Sequence, residues 1–308
     1  MWWNAGLRNG RGGRSSAQKR KAAYSVISAL LQKNDLDVLG LCEVGLSDIK
    51  ELEKNLGKSG FGIVSAQERR GKLQFDMCLI YRIETIVCRD LDEPVLIDSE
   101  SGSNMKVAYM IEAIVDGGRL IFALSHWPAR SQRHDGHTSR DYLGDSLRKF
   151  VDQQRKKGTH QVALMGDYND EPHSDVITTK LRAVRDHTLA TEHEGYLYNP
   201  FWRHLAGNPG YRQGREAGGV SGTHYYTATH HRQRWWLFDQ MMFSPSFISD
   251  GPWHLNEDGT GIISMNRRVA DWLLYSTELN PEVSNKASNE MFDHLPIYAT
   301  LERASQDG

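Results

Sequence analysis

Cysteine is nearly absent: three residues in 308, Cys42, Cys78 and Cys88, each within or beside an apolar run. An odd count with no zinc-like or redox-like spacing excludes a disulfide-stapled scaffold, and reads as small buried hydrophobes in a reducing, cytoplasmic setting. Long apolar runs are missing too. None approaches the roughly 20 residues a membrane-spanning helix needs, and the opening MWWNAGLRNGRGGR places its basic residues after the apolar ones, unlike a secretory leader. An excess of one charge is also lacking, since 37 Lys and Arg face 39 Asp and Glu for a net −2. No global field then draws nucleic acid or an anionic membrane, although a local basic rim could serve a nucleic-acid substrate. No Pro/Gly/Ser-rich linker, internal repeat or low-complexity tract divides the chain, so a single domain over 1–308 is expected.

What is present alternates strands with helices. Met1 to Leu7 reads as the tail of a strand ending in Asn4, followed by an Arg/Gly loop carrying Arg8, Arg11 and Arg14. A helix is predicted from Ser15 or Ser16, where Ser15 and Gln18 have capping-box spacing and Ala23, Val26, Ile27, Leu30 and Leu31 make an apolar stripe. Leu36 to Cys42 reads as a core strand with Glu43 just past it, and a second helix opens near Ser47. Strands are predicted over Phe61–Ser65, Phe75–Tyr81, Thr85–Cys88, Met105–Val115 and Arg119–Ser125, the last two joined by Asp116-Gly117-Gly118 as a hairpin turn. A helix over about Ser139–Gln154, capped by Thr138, leads into the apolar strand Val162–Met165. From His187 to Arg234 the chain is aromatic, basic and irregular. Strands over Thr223–Thr229 and Trp235–Phe243, a modest helix near Arg267–Tyr275 and a last strand Pro296–Leu301 complete the pattern. Strands mixed with peripheral helices point to two packed sheets covered by helices.

Functional groups gather at the strand ends: Asn4, Glu43, His126, Asp167 with Asn169, Asp239, and Asp293-His294. Each alone has an ordinary explanation as a turn, cap or satisfied strand-end residue. Together they would require that explanation at successive strand ends. Asp239 stands out because a carboxylate inside the apolar run Trp235–Phe243 is costly unless a donor meets it. His294, whose second ring nitrogen can donate, is a plausible partner.

The segments WWNAGL, LGLCEV, LSHW, MGDYND, LFDQMMFSP and FDHLP, in this order and across nearly the whole length, resemble the endonuclease/exonuclease/phosphatase superfamily. The resemblance implies an α+β, DNase I-like four-layer α/β/β/α sandwich, two mixed and mainly antiparallel sheets face to face with the active site where strand ends converge. It implies Mg²⁺, with Mn²⁺ as a substitute, held mainly by Glu43 with Asn4 and Asp293 completing or holding the shell. His294 would be the general base, Asp239 its tautomer-fixing partner, Asp167 the group that orients the nucleophile or serves the leaving group, Asn169 a donor to a non-bridging oxygen, and His126 a phosphate contact and leaving-group acid. Oxygen donors suit such a hard cation. Two positions depart from the family's usual pattern: Cys42 stands where Gln is common before the metal-binding Glu, and Phe292 where Ser is common before Asp293.

The substrate expectation is DNA, through Arg8, Arg11, Arg14 and Arg203 on phosphates and Tyr225 and Trp236 stacking on bases. The alternatives are hydrolysis of a small-molecule, nucleotide or lipid-headgroup phosphoester and, from another class, a non-catalytic interaction protein on the same fold. His224, His230 and His231 read as a basic surface loop, since they lack a clear zinc spacing.

Overall fold

A computed structural model describes residues 1–8, 13–33, 35–70, 73–91, 95–97, 105–129, 136–205, 222–226, 235–263 and 292–304. In chain order the elements are β1 (Trp2–Asn4), α1 (Ala17–Lys33), β2 (Val38–Cys42), α2 (Leu46–Leu56), β3 (Phe61–Ala66), β4 (Arg69–Arg70), β5 (Leu73–Gln74) and β6 (Met77–Arg82). Then come β7 (Ile86–Asp90), β8 (Val95–Ile97), β9 (Met105–Val115), β10 (Gly118–His126), α3 (Gly136–Lys156), β11 (Val162–Asp167), β12 (Ala183–Val184), α4 (His187–Glu192) and β13 (Leu197–Tyr198). The chain closes with β14 (His224–Tyr225), β15 (Trp235–Trp236), β16 (Asp239–Phe243), β17 (Trp253–Ile262) and β18 (Ile297–Arg303).

Among the described residues, β17-β18-β1-β2-β6-β3 make one sheet and β12-β13-β16-β11-β10-β9-β7, with β8 beside β9, make the other. Both are mixed: β1/β2, β10/β11 and β12/β13 run parallel, and the other pairs run antiparallel. The two-residue side-chain period of a strand sorts the second sheet's apolar residues onto its two faces. Leu120, Phe122 and Leu124 of β10, Ala163 and Met165 of β11, and Met241 and Phe243 of β16 join the core that runs between the sheets and out to α1 and α2. Their alternates Ile121, Ala123, Val162, Leu164 and Met242 pack with Leu143, Leu147, Phe150 and Val151 of α3. Helix, sheet, sheet and helix thus form the expected four layers.

Continued by one step, the same parity puts His126, Asp167 and Asp239 on the inter-sheet face where the apolar filling ends. Register makes them neighbours, with His126 beside Asp167 and Asp167 beside Asp239. At Gly40 an added Cβ would lie 2.7 Å from the ring of Trp2, its neighbour on β1, and 3.0 Å from Met165 Sδ of the facing sheet. At the β9–β10 turn, Asp116 and Gly117 take φ of 48° and 76°, the left-handed pair that a two-residue hairpin requires.

Several expectations need correction. Ser16, rather than Ser15, caps α1, its Oγ accepting Lys19 N at 3.1 Å. Helix α3 begins at Gly136, two residues before Thr138. The run Trp235–Phe243 is interrupted at Leu237-Phe238, so Asp239 opens β16 and is not mid-strand. Strand β17 escaped notice because it is an edge strand whose register shifts between Asn256 and Gly261, which breaks the alternation. The helix proposed near Arg267–Tyr275 lies outside the described residues. All three cysteines are free, and among the described residues no helix is long and apolar enough to cross a membrane.

Candidate active site

Parallel pairing of β1 with β2 brings Asn4 level with Cys42, one residue before Glu43. Glu43 takes a left-handed φ of 54°, and its carbonyl accepts Arg8 N at 2.7 Å. The buried Asn4 amide then joins the sheets: Nδ2 donates to Glu43 Oε1 at 3.2 Å and to Asp167 Oδ2 at 3.1 Å, while Oδ1 accepts Gly6 N at 3.1 Å. With both ends engaged, Asn4 holds the two carboxylates in place.

Asp239 and His294 meet as expected. His294 Nδ1 lies 2.7 Å from Asp239 Oδ2, and Asp239 Oδ1 accepts Trp2 Nε1 at 3.1 Å. The Trp3 indole steadies the histidine backbone by donating to its carbonyl at 3.1 Å. Trp3 in turn packs on Phe292 at 5.0 Å, so the apolar residue before Asp293 serves the core. A carboxylate can only accept, so Nδ1 carries the hydrogen and Nε2 faces Asp167 Oδ2 at 3.7 Å. Burial disfavours the imidazolium, but Asp239, Asp167 and Asp293 outweigh it and raise the His294 pKa from 6.5 to about 10 in the metal-free protein.

Asp167 Oδ1 accepts Asn169 N at 3.0 Å, and Asn169, at φ 50°, donates Nδ2 to Trp127 O at 2.9 Å. One amide hydrogen of Asn169 is therefore engaged, and among the described residues the second meets no acceptor. His126 Nε2 stands 3.8 Å from Glu43 Oε1, and its Nδ1 sits against Asp76 at 3.1 and 3.2 Å. Lys106 Nζ donates to the same Asp76 at 2.7 Å. Burial works against charge on both members of this pair. The Asp76 charge nevertheless raises His126, and His126 with Lys106 holds Asp76 well below the usual carboxylate range. Sequence reasoning missed Asp76 and Lys106, although Asp76 directly precedes the apolar β6, a signal as strong as an acid directly following a strand.

Asp293, with a side chain 49% exposed, lies 3.8 Å from His224 Nε2. Burial raises its pKa, but His294, His224 and Lys19 together lower it. Glu43 is pushed up by burial, with His126 opposing and Asp293 adding to the rise. Four carboxylates, of Glu43, Asp167, Asp239 and Asp293, thus crowd one cleft and repel one another. Asp167, Asp239 and His294, and likewise His224, Asp293 and His294, turn donor atoms to within 4.8 Å of each other. The carboxylate-rich set around Asp167 fits a hard divalent cation, whereas His224, Asp293 and His294 offer two nitrogens and one oxygen.

The residues expected to hold substrate are less concentrated. Arg8 reaches Gln74 Oε1 at 3.1 Å beside the Glu43 turn, and Arg11 lies outside the described residues. Arg14 is directed to Asp48 Oδ1 at 3.4 Å, and Arg203 is bound to Glu257 on β17. Tyr225 is only 4% exposed and packs on Trp235. Burial removes it from the stacking role, and its neighbour Tyr226 faces the site instead, close enough to Asp167 and Asp293 for their charge, after burial, to raise its pKa. Trp236 stacks on Phe238 at 5.5 Å and lies 6.4 Å from Tyr226. His224 is no surface residue: it is 8% exposed, and its ring lies 4.4 Å from that of His294.

Over residues 11–303 the sequence matches the Endonuclease/Exonuclease/phosphatase family. The chain belongs to that family. As an endonuclease/exonuclease/phosphatase protein with this cluster of metal-competent side chains, it is a metal-dependent phosphoesterase. Similar solved structures include the catalytic domain of human Nocturnin with bound sulfate (TM-score 0.57, 13% identity, 98% of this chain and 93% of that one). Others are a Bacteroides thetaiotaomicron mannosyl-6-phosphatase (0.57, 16%, 98% and 98%) and D. rerio TDP2 complexed with single-strand DNA product (0.57, 14%, 98% and 97%). At these identities the likeness is one of fold. A comparison with curated proteins finds no match.

Proposed function

We propose that the chain is a Mg²⁺-dependent phosphodiester hydrolase, a nuclease acting on DNA in the cytoplasm. The observation that carries the reading is the shared target of the side chains: Asn4 clamps Glu43 to Asp167, and the Asp239-supported His294 Nε2 faces the same Asp167 oxygen. Mg²⁺, held mainly by Glu43 with Asn4 and Asp293 supporting the shell, would neutralise charge growing on the phosphate oxygens, and Mn²⁺ would substitute. Asp167 orients a water for attack on phosphorus and His294 Nε2 takes its proton, while Asp239 stabilises the imidazolium that forms. His294 can do so only after losing its own proton, which a nearby divalent charge favours by repulsion. The second amide hydrogen of Asn169 meets a non-bridging oxygen. As the bond from phosphorus to the leaving oxygen breaks, that oxygen is protonated by His126, whose attachment to Asp76 favours the protonated ring.

DNA is supported by the half-buried aromatic rings of Tyr226 and Trp236 beside the cleft, 6.4 Å apart, since aromatic faces stack on bases without needing a sequence. The single-strand DNA product bound to the TDP2 relative is consistent with this. A second reading, hydrolysis of a small phosphomonoester, is favoured by Arg14 and Arg203 being held by the protein's own carboxylates, and one similar fold is a sugar phosphatase. End-labelled single- and double-stranded DNA, RNA and soluble phosphomonoesters, each with and without Mg²⁺, separate the two. Mg²⁺-dependent internal or terminal cleavage of DNA without release of inorganic phosphate supports the nuclease. Phosphate release from monoesters while DNA stays intact overturns it.

A further inference from the structure

The proposed hydrolysis leaves His224 without a part. Its position is nonetheless fixed from both sides of the sequence. Tyr225 N donates to Asp293 O at 3.0 Å and Leu295 N to Thr223 O at 2.7 Å, which forms a short antiparallel bridge between His224 and His294. The two rings are thereby held 4.4 Å apart at 77°, and His224 Nε2 is 3.8 Å from Asp293 Oδ2. His224, Asp293 and His294 each bring one ligand atom within 4.8 Å of the others.

We propose that His224, Asp293 and His294 form a second metal site, selective for a borderline cation such as Zn²⁺, whose occupation blocks His294 and inhibits hydrolysis. Binding stands on the geometry alone, whereas inhibition rests on the function proposed above. Two imidazole nitrogens and one carboxylate oxygen are a zinc donor set, whereas Mg²⁺ prefers oxygen donors and retained water. Asp239 accepts from His294 Nδ1 at 2.7 Å and so turns Nε2 outward as the ligand atom, the usual support a carboxylate gives a metal-bound histidine. With bonds of about 2.0 to 2.1 Å, tetrahedral donors stand roughly 3.4 Å apart. The observed spacings exceed this by up to about 1.4 Å; Asp293, its side chain 49% exposed, can close its own two, and rotation of the His224 ring closes the third. A water would take the fourth position.

Two sets of measurements test this on the full chain with Mg²⁺ present in excess. In the first, Co²⁺ is added as a spectroscopic probe. Wild type is expected to bind one equivalent with the visible absorption of a four-coordinate nitrogen and oxygen site, displaced by Zn²⁺. His224→Ala and the bulkier polar His224→Gln should each weaken that binding at least about tenfold. The second measures Mg²⁺-supported hydrolysis, expected to be similar in all three proteins and inhibited by Zn²⁺ at least about tenfold less effectively in the variants. Unchanged Co²⁺ binding in both folded variants, or Zn²⁺ inhibition equally strong in wild type and both variants, would overturn the proposal. An inactive wild type that still shows the His224-dependent Co²⁺ spectrum would sink the functional reading and leave the site standing.

Discussion

Replacing Asp239 by Asn keeps the shape of the residue that holds His294 and removes its charge. At an effective dielectric near 20, unit charges separated by the 2.7 Å of this contact attract by about 6 kcal/mol, equivalent to roughly 4 pKa units. That is the size needed to carry the imidazolium from 6.5 to about 10 against burial, with Asp167 and Asp293 adding smaller shares. In Asp239→Asn the His294 pKa of the metal-free protein should therefore fall by several units, measured by NMR titration of the imidazole. The folded-state pKa of wild type is raised, so its stabilising contribution is full below about 6.5 and is lost as pH rises through about 10. Metal-free wild type should thus lose stability over that window, and the variant should show a much flatter profile. The new amide would keep its oxygen toward Trp2 Nε1 and turn its NH₂ to His294 Nδ1, which places the ring hydrogen on Nε2. A base so tautomerised cannot accept a proton, and a loss in kcat on the order of 10³- to 10⁴-fold follows from the analogous change in serine proteases. A His294 pKa still near 10 in the variant, or hydrolysis at the wild-type rate, would refute the reasoning.

Asn4→Ala removes the donor that Glu43 and Asp167 share, and should weaken Mg²⁺ binding in calorimetry while lowering kcat. Glu112→Gln tests an ion pair remote from the cleft: burial opposes ionisation of Glu112, but Arg89 and Arg119 hold its pKa below the ordinary value. The stability this gives is present above about pH 4.3 and vanishes as pH falls through the lowered pKa, so the variant should melt below wild type at pH 7 and the gap should narrow as the solution is acidified below that point. Gly40→Ala forces a methyl against Trp2 and Met165 and should cost about 1 to 3 kcal/mol in denaturant unfolding.

Much of the cleft was legible because chemistry there follows directly on apolar strands: Asp167 and Asn169 after Val162–Met165, Glu43 after Leu36–Cys42, and Asp239 as a carboxylate among hydrophobes. Contacts made across the fold were harder to read. Asp76 meets Lys106 and His126 at separations of 30 and 50 residues, and although its place before β6 is a local signal, nothing local names its partners. His224 was read with His230 and His231 because they are close in sequence, whereas the bridge to His294 takes it into the cleft. For arginine, composition is silent about the partner: Arg14 and Arg203 find carboxylates 34 and 54 residues away, where a phosphate contact had been expected. Tyr225 and Tyr226 differ by one step of strand parity, and only the pairing with Trp235 decided which one is buried.

The most direct test of the account is the rate of DNA hydrolysis as a function of Mg²⁺ concentration for wild type and Glu43→Gln. Wild type should be inactive in chelator and show saturable activation. The variant, with the charge removed and the amide still able to meet Asn4, should need far more Mg²⁺ or lose activity by orders of magnitude while remaining folded. Hydrolysis by the variant at the wild-type rate and with the wild-type Mg²⁺ dependence would contradict it.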